Sequence, residues 1–207
     1  MKKLAAAMAV ALLLAGCKPQ TAKEIRIGLI TPLTGDVKTF GESVKNAFEM
    51  AVDEANKSGG VAGMRIIPIV EDDRNDPTEA SNAASKLIKQ DRVQAIVGSV
   101  TSKATIPVSD LAQSGKIPAI TPSATNPKVT VADGKRKNYM FRACFIDPFQ
   151  GKVMAKFARE ALFKDKAAVL YDASNDYSKG IAEYFSDAFK LMGGKVVAYE
   201  SYGKDDV

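Results

Sequence analysis

From Ile25 onward the chain alternates between short, apolar, β-branched runs and longer stretches with helical spacing, and this rhythm limits the fold more than any other feature. Ile25-Arg26-Ile27-Gly28-Leu29-Ile30 reads as a buried strand that stops at Thr31-Pro32. Val44, Ala47, Phe48, Ala51, Val52 and Ala55 follow at steps of three and four, which puts them on one helical face, and Ser58-Gly59-Gly60 ends that helix. Met64 to Val70 is a second strand. Asp76-Pro77-Thr78-Glu79 then opens a second helix, with a capping aspartate and a proline in the first turn, and Ala80, Ala83, Ala84, Leu87 and Ile88 as its buried face. Val93 to Val97, Ser102 to Gln113 and Ile117 to Ile120 continue as strand, helix and strand. Repeated strand–helix units imply the α/β class, a parallel sheet with helices on both faces. Right-handed crossovers bring the carboxyl ends of all strands to one edge, which is where ligands bind in such sheets.

The segment Thr121 to Asn138 breaks the rhythm with a long loop. Beyond it the pattern resumes with a strand at Tyr139 to Phe145 and a helix at Asp147 to Phe163, with Val153, Phe157, Ala161 and Leu162 facing inward. A strand at Lys166 to Tyr171, a helix at Asp176 to Met192 with Ile181, Tyr184, Phe185, Ala188 and Phe189 on one stripe, and a strand at Lys195 to Tyr202 complete the series. The break places a boundary near Ala143 to Asp147. It divides an α/β lobe at 24–143 from a second at 144–207, which is small for a layer with its own core and reads as partial.

The start of the chain has a different character. Met1-Lys2-Lys3 precedes an uncharged apolar run, Leu4 to Leu14, too short to span a bilayer but suited to a secretory signal peptide over residues 1–16. The run closes in Leu14-Ala15-Gly16-Cys17, which resembles the lipobox of bacterial lipoproteins, where the cysteine becomes the lipidated N-terminus. Residues 17–23 then form a lipidated tether, since two or more acyl chains hold firmly to a membrane. The formal charge is only +5, with Lys2 and Lys3 contributing two of it, which does not point to nucleic acid. The run Lys135-Arg136-Lys137 reads as a solvated loop. Beyond Cys17 the only cysteine is Cys144, and there is no histidine, so the usual zinc sites and histidine-assisted nucleophiles are ruled out. Cys144 reads as a small packed residue. No Gly-x-Gly-x-x-Gly follows the first strand and there is no phosphate loop, which speaks against an enzyme on this scaffold.

Two loops at strand ends carry the chemistry: Gly98-Ser99-Val100-Thr101-Ser102-Lys103-Ala104-Thr105 and Thr121-Pro122-Ser123-Ala124-Thr125-Asn126-Pro127. The first leads into a helix N-terminus, where free N–H groups and the helix dipole attract an anion, and small hydroxyl side chains let a carboxylate come close. Taken alone, Thr101 or Ser102 reads as a helix cap. Two such loops on neighbouring strand ends read as a binding site. Asp72, Asp73 and Asp76 lack the alternating ligand spacing of a calcium loop, so loop and cap roles are expected for them. Asp147 is expected to cap the helix that follows it, with contact to the ligand or the hinge as the alternative.

With these residues in place the chain resembles the branched-chain amino acid receptor family of periplasmic solute-binding proteins, which have the two-lobed type I fold and serve ABC importers. The marks are Ile27-Gly28 with Thr31-Pro32-Leu33-Thr34-Gly35, Gly41, Asn46-Ala47, Asp72-Asp73 with Asp76-Pro77, the Gly98 loop, Pro122-Ser123-Ala124-Thr125-Asn126-Pro127, and Phe141-Arg142 with Gln150-Gly151. The resemblance implies that the Ser102 hydroxyl donates to a ligand carboxylate and that the Ser123 carbonyl accepts from its ammonium. Thr125 would bind through hydroxyl and backbone, with Thr101 beside Ser102 in the same set. Phe40 would lie against the ligand side chain, and Tyr177 would close the cleft from the second lobe. Lys103 either points to solvent or favours a more acidic ligand. The family's acidic partner for the ammonium falls beyond Val207. The implied function is a lipid-anchored, exported receptor on the periplasmic or outer face of the cell membrane. It would bind an amino acid, branched-chain or similarly hydrophobic, and hand it to an importer permease without cofactor or catalysis. A sensory module for a small amide or carboxylate, signalling to a receptor partner, is the alternative.

Overall fold

A computed structural model describes residues 24–203 and Asp206. The signal peptide, Cys17 and the tether expected over residues 1–23 lie outside the described residues. Strand β1 (Glu24–Thr31) is an interior strand of the larger sheet. Around it lie β2 (Arg65–Asp72), β3 (Ala95–Val97), β4 (Ala119–Thr121) and, after a two-residue hairpin of β5 (Val131–Ala132) and β6 (Lys135–Arg136), β7 (Met140–Arg142). The order is β2-β1-β3-β4-β7 and every pairing is parallel. The strand order reverses at β1 and β3, so a crevice opens beyond the carboxyl ends of these two strands.

Alternation along β1 sets the two cores. Ile30 points to one face and joins Ala80, Ala83, Ala84 and Leu87 of α2 (Pro77–Lys86, continued by a π turn at Leu87–Asp91) and Ala104, Val108 and Ala112 of α3 (Ser102–Gly115). Leu29 points to the other and packs on Phe48 and Val52 of α1 (Lys38–Lys57) and on Ile66. The α1 face is narrower than its spacing suggests: Ala47 and Ala51 are exposed, and the buried line runs Gly41, Phe48, Val52. Gly41 is required here, because a Cβ would stand 1.7 Å from the Pro32 carbonyl oxygen. That close approach seats the first turn of α1 against the loop after β1.

The second sheet pairs β8 (Lys166–Asp172) with β9 (Lys195–Tyr202) in parallel. Two helices accompany it, α4 (Asp147–Lys156, continued by a π turn at Phe157–Ala161) and α5 (Asp176–Leu191). The inward face expected for α4 is corrected: Val153, Phe157 and Leu162 are exposed, and the buried positions are Asp147, Gly151 and Ala155. The reason is close helix packing. At Gly151 a Cβ would lie 2.6 Å from the Tyr184 Cβ, so α4 meets α5 through its smallest residues. Phe185 and Phe189 stack at 5.4 Å on α5, and the Arg159 guanidinium caps the Phe189 ring at 5.9 Å.

Two local expectations fail for electrostatic reasons. Lys137 is 4% exposed, not solvated like Lys135 and Arg136. Its ammonium donates to Ser109 Oγ (2.7 Å) and the Lys128 carbonyl (2.9 Å) and pairs with Asp110 (2.6 Å), which offsets its desolvation. Asp147 does not cap α4; Ile146 holds the cap position, and neither Asp147 carboxylate oxygen has a hydrogen-bond partner among the described residues.

Candidate ligand-binding site

The loops after β1, β3 and β4 meet the first turns of α4 and α5 around a cleft of about 300 Å³, at the small end of the range for small-molecule sites. Phe40, Thr101, Ser102, Ser123, Thr125 and Tyr177 all line it, so the structure brings together the six residues expected at the ligand. Val37, Val100, Phe145, Gln150 and Asn175 complete the lining, and these the sequence did not single out. Gln150 was visible only as half of the Gln150-Gly151 mark.

Each element delivers its side chain for a local reason. Gly98 has φ +117°, and its missing Cβ would otherwise lie 2.0 Å from the Ile30 carbonyl oxygen, so the chain can turn tightly over β1 into the loop. Thr101 then occupies the N-cap of α3, but its hydroxyl donates to Asn75 Oδ1 (2.7 Å) and not to the helix. Ser102 is the first helical residue, 2% exposed, and its Oγ accepts from Asn126 N–H at 3.3 Å, which leaves its own proton free. With neither hydroxyl capping the helix, the first N–H groups of α3 remain open towards the cleft. This is an anion-accepting end built from backbone dipoles and a hydroxyl donor.

The β4 loop is fixed as firmly. The Thr121 hydroxyl donates to the Ser99 carbonyl and the Ser123 hydroxyl to the Val100 carbonyl, both at 2.7 Å. From β7 the Arg142 guanidinium reaches the carbonyls of Ala124 (2.8 Å) and Asn126 (2.9 Å) and Thr130 Oγ1 (2.9 Å). Burial pulls the Arg142 pKa below its usual value, against the nearby Cys144 and Asp147. Burial likewise pushes the Cys144 thiol up, and its Sγ lies 3.6 Å from the Ala124 carbonyl, which suits a packed, unreactive thiol.

The opposite side is looser. Asn175 caps α5, accepting from Tyr177 N–H at 3.0 Å and Ser178 N–H at 3.5 Å, and so turns the Tyr177 ring towards the cleft. Gln150 Nε2 donates to the Tyr177 hydroxyl at 3.1 Å. On the α1 side of the cleft Phe40 is 65% exposed, so it is a cleft wall and not part of a core. With Val37, Val100 and Phe145 it makes one end of the cleft apolar. Two bonds tie the sides together: Asp147 N–H donates to the Thr125 carbonyl (3.1 Å), and Asn126 Nδ2 donates to the Asp176 carbonyl (2.9 Å).

The acidic run at the end of β2 divides three ways. Asp76 caps α2, accepting from Thr78 N–H (2.8 Å) and Glu79 N–H (3.0 Å). Asp72 accepts from Leu33 N–H (2.8 Å), Arg74 N–H (2.9 Å) and the Thr34 hydroxyl (2.6 Å); burial acts to raise its pKa, but these bonds prevail and hold it low. Asp73 is completely buried and pairs with the Ser99 hydroxyl beneath the cleft.

A parallel sheet with a cleft at its strand ends, closed on the far side by helices of a second sheet, defines a two-part α/β binding fold. The family model described as "Periplasmic binding protein" matches residues 24–206, and the chain belongs to that family. It is 37% identical over 175 residues to the Leu/Ile/Val-binding protein BraC3 of Rhizobium johnstonii, covering 84% of this chain and 46% of that protein. It is 35% identical over 207 residues to the leucine-, isoleucine-, valine-, threonine- and alanine-binding protein of Pseudomonas aeruginosa, covering 100% of this chain and 53% of that one. The branched-chain amino acid transporter substrate-binding protein LivJ of Streptococcus pneumoniae, solved with isoleucine, superposes with a TM-score of 0.79 at 34% identity, over 89% of this chain and 51% of its own. The chain spans about half the length of the curated relatives it matches.

Proposed function

We propose that this protein is the solute-binding component of an ABC importer and that it holds an amino acid, branched-chain or similarly hydrophobic, in the cleft described above. In this reading residues 24–143 and 144–207 belong to two lobes. The Ser102 hydroxyl and the first turn of α3 take the ligand carboxylate, the Ser123 carbonyl and Thr125 take the ammonium side, and Thr101 borders the carboxylate. Val37, Phe40, Val100 and Phe145 face the side chain, and Tyr177 closes from the second lobe. Closure follows if the ligand contacts both lobes better in the closed arrangement, and the permease would read that arrangement. The protein would act by binding alone and not as an enzyme. It would be exported and held at the membrane by lipid on Cys17, in the periplasm or on the outer face of the cell.

The observation that carries the reading is the meeting of an open helix N-terminus, the free Ser102 hydroxyl and an apolar end in a single cleft. The relatives' names support it, since those proteins bind aliphatic amino acids. Calorimetry with the twenty L-amino acids, on protein expressed from its complete gene, tests it. Binding of leucine, isoleucine or valine is expected; no heat and no thermal shift from folded protein with any of them overturns it. For the anchor, Cys17→Ala should abolish incorporation of labelled fatty acid.

A further inference from the structure

Asp73 touches nothing in the cleft, yet it is 0% exposed and so is its partner Ser99. Its two carboxylate oxygens have separate tasks. One accepts from Asn75 N–H at 2.9 Å, and Asn75 Oδ1 in turn accepts from the Thr101 hydroxyl at 2.7 Å. The other accepts from the Ser99 hydroxyl. Ser99 Oγ also accepts from Val100 N–H at 2.6 Å, and the Ser99 carbonyl accepts from the Thr121 hydroxyl at 2.7 Å. From one carboxylate, bonds therefore run to both ends of the loop 99–101 and on to the start of the β4 loop. The loop carries Thr101 and Ser102 into the cleft and contributes Val100 to its wall. Asp73 N–H itself donates to the Thr31 carbonyl at 3.4 Å, which ties the pair to β1.

A buried carboxylate is costly unless it is well paired, and Asp73 lies near Asp72 and Asp76, which add to the cost. An apolar residue there would fill the space without that penalty, so the acid is best explained by what it holds. We infer that Asp73 and Ser99 form a buried clamp that fixes the loop 99–102 in its ligand-accepting shape, with Asp73 a positioning residue for the site. Its effect on affinity rests on the function proposed above; its effect on the loop does not.

The test uses protein from the complete gene, with Ser99→Ala, Asp73→Ala, the double variant and Asp73→Asn. Amide exchange is followed at Val100 and Thr105, whose N–H groups are bonded to Ser99 Oγ and the Thr101 carbonyl, and, as a control, at Leu29 and Ile30 of β1. Affinity is measured for whichever of the twenty L-amino acids the unmodified protein binds. Each single alanine variant should speed exchange in the loop at least tenfold while leaving β1 protected, and should weaken binding about tenfold. The double variant should be no worse than the poorer single, because the two residues act as a unit. Asp73→Asn should recover part of both effects, since its amide oxygen still offers one acceptor. Should Asp73→Ala not fold, Ser99→Ala removes the same bond with little change in volume. Unchanged loop exchange, or unchanged affinity in a variant of lower melting temperature, overturns the clamp and leaves the pair merely structural. If the unmodified protein binds no amino acid, the proposed function falls and loop exchange alone decides the clamp.

Discussion

The two walls of the cleft are built to different standards. In the wall from the larger sheet, Ser99, Ser102, Thr121, Thr125 and Asn126 are each at most 6% exposed, and hydrogen bonds link the β3 and β4 loops to one another and to β2 and β7. In the wall from α4 and α5, Phe145 is 55% and Tyr177 36% exposed, and the side chains are held mainly by the Asn175 cap and the Gln150–Tyr177 bond. Under the proposed function the first wall would meet the ligand already shaped, and the second would have room to adjust as it arrived. Binding sites that close gain from this division, since preorganised donors lower the ordering cost while a mobile wall allows entry. Removing the bonds that hold the first wall should therefore cost stability and affinity together, and changes in the second affinity alone.

The sharpest break of that comparison is Arg142→Ala. The guanidinium reaches three acceptors along the β4 loop, and hydrogen bonds to charged groups contribute about 1.5–3 kcal/mol each, with incomplete additivity. Urea denaturation should show a loss of about 3 kcal/mol. Arg142→Lys should regain only part, because a single ammonium cannot span three separated acceptors. Stability within about 0.5 kcal/mol of the unmodified protein would mean the wall holds itself together without Arg142.

Next in size is Ser102→Ala. Its Oγ accepts one long bond, so the cost to stability should be slight, whereas its free proton is the donor proposed for the ligand carboxylate. Affinity by calorimetry should fall about tenfold, or about 1.4 kcal/mol. An unchanged affinity would leave the anion end to the backbone N–H groups of α3 alone.

The contrast between walls also explains what could be read in the sequence. The β1 and α2 patterns were legible because buried apolar residues recur at the period of the element, as at Ala80, Ala83, Ala84 and Leu87. The first wall was legible for a related reason: Thr101, Ser102, Ser123 and Thr125 sit at strand ends, and strand ends are a sequence feature. The α4 face was not. Apolar spacing favoured Val153 and Phe157, but helices that approach closely do so through small residues, and Gly151 and Ala155 took the interface. Phe145 and Gln150 reach the cleft only through the turn between β7 and α4, which no periodicity encodes. Lys137 looked like its neighbours because charge says nothing about which way a side chain points.

Between the walls lies Asp147, and it sharpens the comparison by failing it. It is fully buried, and no hydrogen-bond donor meets either oxygen among the described residues. Burial raises its pKa, and the nearby Thr125 hydroxyl and Arg142 charge only partly counter this. A carboxyl whose pKa is raised on folding lends stability in its protonated form, below the ordinary aspartate range. That stability is lost as pH rises through the raised value. Asp147→Asn removes this linkage. The variant should therefore be more stable than the unmodified protein at pH 7.5, by about 1 kcal/mol or more, with the advantage shrinking towards pH 4. Carboxylates of lowered pKa, Asp72, Asp76 and Asp172, weaken both proteins alike in acid, so they cancel in the difference. No advantage at pH 7.5 would mean Asp147 finds a partner in solution, and an advantage that does not change between pH 4 and 7.5 would mean it does not arise from ionisation of Asp147.

The smallest expected effect tests the looser wall directly. Gln150 donates to the Tyr177 hydroxyl from a partly exposed position, and such a bond contributes about 0.5 kcal/mol to stability at most. Gln150→Ala should leave the urea midpoint unchanged. It should still weaken ligand binding two- to threefold, because Tyr177 must then be ordered at the moment of closure. The loss should appear as faster dissociation, since the entry path is not altered. Tyr177→Phe should show nearly the same loss, and the double variant no more than either, if the bond acts only by orienting the ring. A double variant clearly worse than both would mean that Gln150 or the phenol hydroxyl meets the ligand itself. The second wall would then hold ligand-binding groups in place before closure, as is proposed for the first.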